Sequence, residues 1–274
     1  MSRNIILPVV KTPPFFGQHK PRERKQIENL RSRIRALERP AWKNEEKPFS
    51  LGISEMDQRL PAGGFLPDAL YEVFFDRPTD GGAATGFCVA LIASLLNSRK
   101  GRILWCANNN ATDTGDLYPF GLIQQGLDTS LLTIVKTTRD TDVLWAIEEG
   151  LRSSAFTAVL GEIKKISMTS SRRLQLATKE NGVLTILLRP STKTPGLSAA
   201  TQRWRIKSVP SHPRGFSKSL DEPGAARWKT KLFRSRGGMP NTWLMEWCDE
   251  TSCFSLATTV CDRPGHPCNA RLKK

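Results

Sequence analysis

Five short apolar runs punctuate the middle of this chain: ALYEVFF at 69–75, RILWCA at 102–107, LLTIVK at 131–136, TAVLGEI at 157–163 and VLTILLR at 183–189. They read as buried strands, and helical stretches near 86–99, 117–126, 141–155 and 169–181 fill the gaps between them. Parallel neighbours need a crossover long enough to hold a helix, so this alternation predicts an α/β fold with a mostly parallel central sheet. The stretch from Asp140 to Glu148 supports one of those helices, with an acidic start and an apolar stripe through Val143, Leu144 and Ile147.

The texture differs on either side of this middle. Residues 1–21 carry Pro8, Pro13, Pro14 and Pro21 and are expected to be extended. From Arg22 to Glu38, Ile27, Leu30, Ile34 and Leu37 recur at spacings of 3, 4 and 3, which puts them on one stripe of a basic helix ending before Pro40. Four such residues are too few for an isolated coiled coil, so the stripe must dock on the chain's own core or in a partner's groove. Beyond Leu197, residues 208–226 are rich in Ser, Pro and Gly and suggest a loop or linker. The remainder offers two or three antiparallel strands, with turns at Gly237-Gly238 and at CDETSC. The expected organisation is a basic N-terminal segment (1–47), an α/β core (48–202) and a basic linker with a small C-terminal β segment (203–274).

Charge follows these divisions. The chain carries 41 Lys/Arg against 26 Asp/Glu, a net charge of +15. Residues 1–47 hold +7 and residues 203–240 hold +8, while residues 48–202 and 241–274 are each neutral. Basic flanks around a neutral middle point to a polyanion, nucleic acid above all, although solvated tails have the same composition. The expected DNA contacts are Arg31, Arg33 and Arg35 in the first flank, and Arg205, Lys207, Lys229, Lys231, Arg234 and Arg236 in the second. Trp204, Trp228, Trp243 and Trp247 stand among the second set and could stack bases. Trp243, Met245 and Trp247 alternate along one run, however, which favours a core-facing side for them.

Several chemistries lack support. No segment is expected to reach membrane length, and six widely spaced cysteines suggest reduced thiols in a cytosol. Cys248, Cys253, Cys261, Cys268 and His266 have no C-x-x-C spacing, so no metal is expected. His19, His212 and His266 all lie in Pro/Gly-rich loops, and no nucleophile–base pair or paired carboxylates stand out. Lys164, Lys165, Arg172 and Arg173 follow the fourth run and fit a solvated helix start as well as a contact surface.

One motif invites a nucleotide. Gly81 and Gly86 have the G-x-x-x-x-G spacing of a phosphate-binding loop between an apolar strand and an apolar helix. Lys and Ser/Thr should follow, the first to neutralise phosphate and the second to ligate Mg²⁺. Phe87 and Cys88 stand there instead, and neither can do that work.

The segment FSLGISEMDQRLPAGGFLPDALYEVFF at 49–75 resembles the entry to the RecA recombinase core. A closer resemblance, from about residue 25 to 264, is to the bacterial ImuA family of RecA-like proteins. It includes the R-G-G-x-P turn and the W-L-x-E-W strand of RSRGGMPNTWLMEW. The likeness implies further site positions. Asn108 would replace the water-activating Glu, Glu162 would lie one residue past the usual Walker B Asp and face the other way, and Arg189 would replace a sensing Gln. With Gly81, Gly86, Phe87 and Cys88 these make a degenerate nucleotide site, with no cofactor expected.

What the resemblance implies for function is an SOS-induced role in translesion synthesis without catalysis of its own. The implied partners are an inactive Y-family-like polymerase subunit of the ImuB type, an error-prone C-family polymerase, RecA and DNA. The implied location is the nucleoid-associated cytoplasm. A divergent ATPase that still uses Glu162, or a small DNA-binding module acting alone, are the competing readings.

Overall fold

The computed structural model describes residues 47–109, 115–191, 195–211, 224–248 and 253–257. The N-terminal stripe Ile27, Leu30, Ile34 and Leu37, the cations Arg31, Arg33 and Arg35, and the tail with Cys261, His266 and Cys268 lie outside the described residues.

Nine strands form one sheet in the order β3-β2-β4-β5-β1-β6-β7-β8-β9. They are β1 (Leu70–Phe75), β2 (Arg102–Asn108), β3 (Leu132–Thr137), β4 (Phe156–Glu162), β5 (Leu184–Pro190), β6 (Gln202–Val209), β7 (Arg227–Ser235), β8 (Asn241–Cys248) and β9 (Cys253–Leu256). The first six pair in parallel; β6 to β9 pair antiparallel. All five apolar runs form strands within a residue of their expected bounds, and the mixed sheet is that of a RecA-like core. The helices are α1 (Ser54–Asp57), α2 (Gly81–Ser98), α3 (Pro119–Gln124), α4 (Asp140–Arg152) and α5 (Met168–Asn181).

Two apolar layers cover the sheet. On one side, α2 packs on Tyr71, Val73, Trp105, Leu160, Trp204 and Ile206. On the other, α4 and α5 bury Leu70, Leu104, Cys106, Val159 and Leu187. Both faces being covered, all six residues of β1 are buried. Ser167 caps α5 by accepting the Ser170 N–H, and Gly182 ends that helix in the left-handed region at φ 62°. Trp243 and Trp247 are buried, which fits the core-facing side expected from their alternation with Met245, and Trp204 and Trp228 are buried as well.

Three expectations need correction. The division at residue 203 does not divide the structure, because β6 pairs in register with β1 from Tyr71↔Gln202 to Phe75↔Ile206. The helix expected from 86 begins at Gly81, since burial of its apolar residues outweighs the low helix propensity of two glycines. By length and composition Pro78–Ser98 would also suffice to cross a membrane, contrary to the reading that no segment does; 67% of its apolar window is buried, as in a core helix.

Candidate functional site

In an open α/β sheet, ligands gather beyond the carboxyl ends of the parallel strands. Here β1 ends at Phe75, Asp76–Asp80 form the connection, and α2 starts at Gly81. A phosphate loop delivers its last glycine and its Lys into the first helical turn. That turn is Gly81–Ala84, so Gly81 and Gly86 do not bracket a loop, and the structural counterparts of Lys and Ser/Thr are Gly82 and Ala83. Phe87 and Cys88 sit one turn deeper in the core. Phe87 lies 5.3 Å from the Trp204 ring, centroid to centroid. Burial, with Glu162 adding to it, pushes the Cys88 thiol well above its ordinary value.

Gly86 has a packing reason of its own. A β-carbon there would stand 2.6 Å from the Trp228 ring, so the glycine lets β7 approach α2.

The connection carries an anion of its own. Asp80, fully buried at the amino end of α2, accepts two hydrogen bonds from Arg77, each 3.1 Å. It also accepts the Ser208 N–H at 3.0 Å and the Ser208 hydroxyl at 2.8 Å. Burial pushes this carboxyl upward, but the Arg77 and Ser208 hydrogen bonds outweigh it and hold the group below the usual range. A negative charge therefore already stands at the residue before α2, engaged by Arg77 and Ser208 and not by the N–H groups of the helix.

The other three positions occupy the carboxyl ends of β2, β4 and β5, and each is engaged. Asn108 donates from Nδ2 to Asp140 Oδ1 at 2.6 Å, and Asp140 accepts the Lys164 and Lys165 N–H groups as well. Glu162 accepts the Trp105 indole N–H at 2.6 Å. Gly161 is the residue that faces α4, where a β-carbon would strike Ile147. Glu162, on the face of Leu160 and Trp105, therefore lies on the α2 side, where a Walker-type carboxylate would be useful. One of its partners there is an indole. Arg189 donates to Glu72 Oε1 at 3.0 Å and to the Lys164 carbonyl at 3.2 Å.

Two clefts adjoin these ends. One of about 450 Å³ is lined by Asn108, Asp116, Leu117, Ile134, Lys136 and Glu162. Its lysine is ion-paired to Asp116 at 2.6 Å. The other, of about 190 Å³, touches Gly82, Thr85, Gly86, Tyr118, Gln125 and Glu162. The only cation lining either cleft, among the described residues, is this Lys136. Among the described residues no group of three or more His, Cys, Asp or Glu is placed to hold a metal.

The basic residues separate. Arg205, Lys207, Lys229, Lys231 and Arg234 lie on β6 and β7, while Arg236 follows β7 and its N–H bonds the Thr201 carbonyl. Arg172 and Arg173 are exposed on α5, where Arg173 pairs with Glu148. Sequence reasoning passed over Glu72, Asp80 and Arg203. Glu72 is fully buried and bridges two arginines, Arg189 and, at 2.7 Å, Arg203. The signal was a lone acid inside ALYEVFF.

No protein-family model matches the chain. Protein ImuA of Caulobacter vibrioides strain NA1000 / CB15N is 30% identical over 209 residues, covering 72% of this chain and 82% of that protein. Protein ImuA of strain ATCC 19089 / CIP 103742 / CB 15 matches equally. Identity at that level, across most of both chains and on a RecA-like sheet, makes this chain a member of the ImuA family.

Proposed function

We propose that the chain is a non-catalytic scaffold in DNA damage-induced mutagenesis, tethering an error-prone translesion polymerase complex at DNA. Membership of the ImuA family supports a role in the DNA-damage mutagenesis system. The observation that carries the non-catalytic part is the start of α2: its first turn is Gly-Gly-Ala-Ala, and the residue before it, Asp80, is a buried carboxylate engaged by Arg77 and Ser208. The partners would be an ImuB-like inactive Y-family polymerase subunit and an error-prone C-family polymerase, with RecA as a third, in the nucleoid-associated cytoplasm. The stripe of Ile27, Leu30, Ile34 and Leu37 would enter a groove on one of them.

The 450 Å³ cleft beside Glu162 favours one competing reading, a divergent ATPase. Calorimetry with Mg-ATP and a turnover assay on the full chain separate the two. Affinity of millimolar or weaker, about 4 kcal/mol of binding or less, is expected with no turnover. Gly82→Lys with Ala83→Thr should not restore hydrolysis, because Asp80 remains. Micromolar binding, or turnover lost in Glu162→Gln, would overturn the scaffold reading.

A further inference from the structure

The half of the sheet formed by β6, β7 and β8 has two unlike faces. One is apolar and packs on α2 through Trp204, Ile206, Leu232 and Trp243. On the opposite face, among the described residues, the helices α4 and α5 pack chiefly on β2, β3, β4 and β1 and not on β6, β7 or β8.

On that open face the cations stand in cross-strand pairs. The register sets Arg203 against Arg234, Arg205 against Lys231 and Lys207 against Lys229. Three successive like-charge pairs are an unfavourable way to build a ladder, because directly opposed like charges destabilise it. The β1 side offsets only the β6 half. Glu72 takes Arg203, and Asp76 takes Arg205 at 3.3 Å and Lys207 at 2.7 Å. On the β8 side Lys231 and Lys229 face Thr242 and Leu244, neither of them acidic. Lys229, Lys231 and Arg234 are exposed and form no ion pair with a described residue.

The arrangement is also held in place. Arg203 lies 5.1 Å from the Phe74 ring and 5.4 Å from Phe233, and Arg205 lies 5.4 Å from Phe233. Side chains stacked in this way lose little freedom on binding. Stacked, paired arginines on β6 thus stand beside Lys229, Lys231 and Arg234, which have no acidic partner among the described residues, and such a strip of positive charge calls for an anionic polymer.

We infer that this face of β6 and β7 docks one phosphodiester backbone of DNA, without regard to base sequence, through Lys229, Lys231, Arg234 and the outer parts of Arg205 and Lys207. The inference rests on the scaffold reading and gives it a DNA surface within the folded core.

The test uses the full chain and a fluorescent, mixed-sequence single-stranded oligonucleotide, with anisotropy measured across a salt series. In Lys229→Gln/Lys231→Gln/Arg234→Gln the slope of log affinity against log salt should shrink by about 2, since each single-strand phosphate contact contributes about 0.7. Its melting temperature should hold or rise, because opposed charges are relieved. Arg31→Gln/Arg33→Gln/Arg35→Gln reports on the other basic flank. An unchanged slope in the sheet variant, or full loss of binding in the N-terminal variant alone, would overturn the proposal. Capture of the polymerase-type partner is measured in parallel. If the sheet variant loses the partner and keeps DNA, the face serves an acidic protein, and the DNA inference falls while the scaffold reading stands.

Discussion

A β-carbon at Gly86 would meet Trp228 at 2.6 and 2.8 Å and the Gln125 amide at 2.9 Å, whereas one at Gly82 would meet nothing within 4 Å. Trp228 has little room to yield, since it packs edge-on against Phe254 with centroids 4.8 Å apart. Gly86→Ala is therefore expected to destabilise by about 1–3 kcal/mol, the usual cost of overpacking. Gly82→Ala should be neutral or stabilising by up to ~1 kcal/mol, the difference in helix propensity. Thermal unfolding of the two variants checks this. Equal losses at both positions would mean that the glycines answer to a backbone turn, as in a phosphate loop, and not to packing. The spacing of Gly81 and Gly86 was legible in the sequence; its reason was not, because Trp228 is 142 residues away from Gly86 in the chain.

At the scale of elements, Glu72 joins three strands: it sits on β1 and receives Arg189 from β5 and Arg203 from β6. Replacing it with Gln would leave two largely buried guanidinium groups without their counter-charge. Breaking a buried pair costs about 3–5 kcal/mol, so Glu72→Gln should lower the urea midpoint strongly. A stability loss of under about 0.5 kcal/mol, the range of an ordinary surface substitution, would mean that water reaches the arginines. The connection between β1 and α2 makes a pH-dependent contribution. Asp76 and Asp80 both titrate below their ordinary value once folded. Burial opposes this in each, but Lys207 and Arg205 outweigh it for Asp76, and Arg77 and Ser208 for Asp80. Groups lowered in this way add stability above their unfolded value of about 3.9, and the gain vanishes as pH falls through the folded values. The stability gap between wild type and Asp80→Asn should thus be full at pH 6 and close progressively below about pH 4. A gap independent of pH would assign the Asp80 contribution to packing.

For the whole molecule, the basic segment 203–240 supplies β6 and β7 to the central sheet. Trp204, Ile206 and Leu232 from it are fully buried. Deleting 203–240 is expected to abolish cooperative unfolding, whereas deleting residues 1–46 should leave the transition of the described core in place. Circular dichroism melts of both truncations decide this; a cooperative melt without 203–240 would restore a separable linker. The sequence by itself determined the α/β class and the five parallel strands, because burial on both faces writes the inner strands as continuous apolar runs, and the half-buried edge strand β3 keeps enough of that pattern to be read. It also determined the absence of Lys and Ser/Thr after the glycines, and the net charge of the flanks. Only the tertiary structure decided that β6 belongs beside β1, that α2 opens at Gly81 just after a buried, paired carboxylate, and that the cations of β6 and β7 share one face, free of helices among the described residues. Each of these depends on register between residues far apart in the chain. A local pattern records which residues are apolar or charged, but the partner across a strand, or at the end of a helix, is chosen by packing.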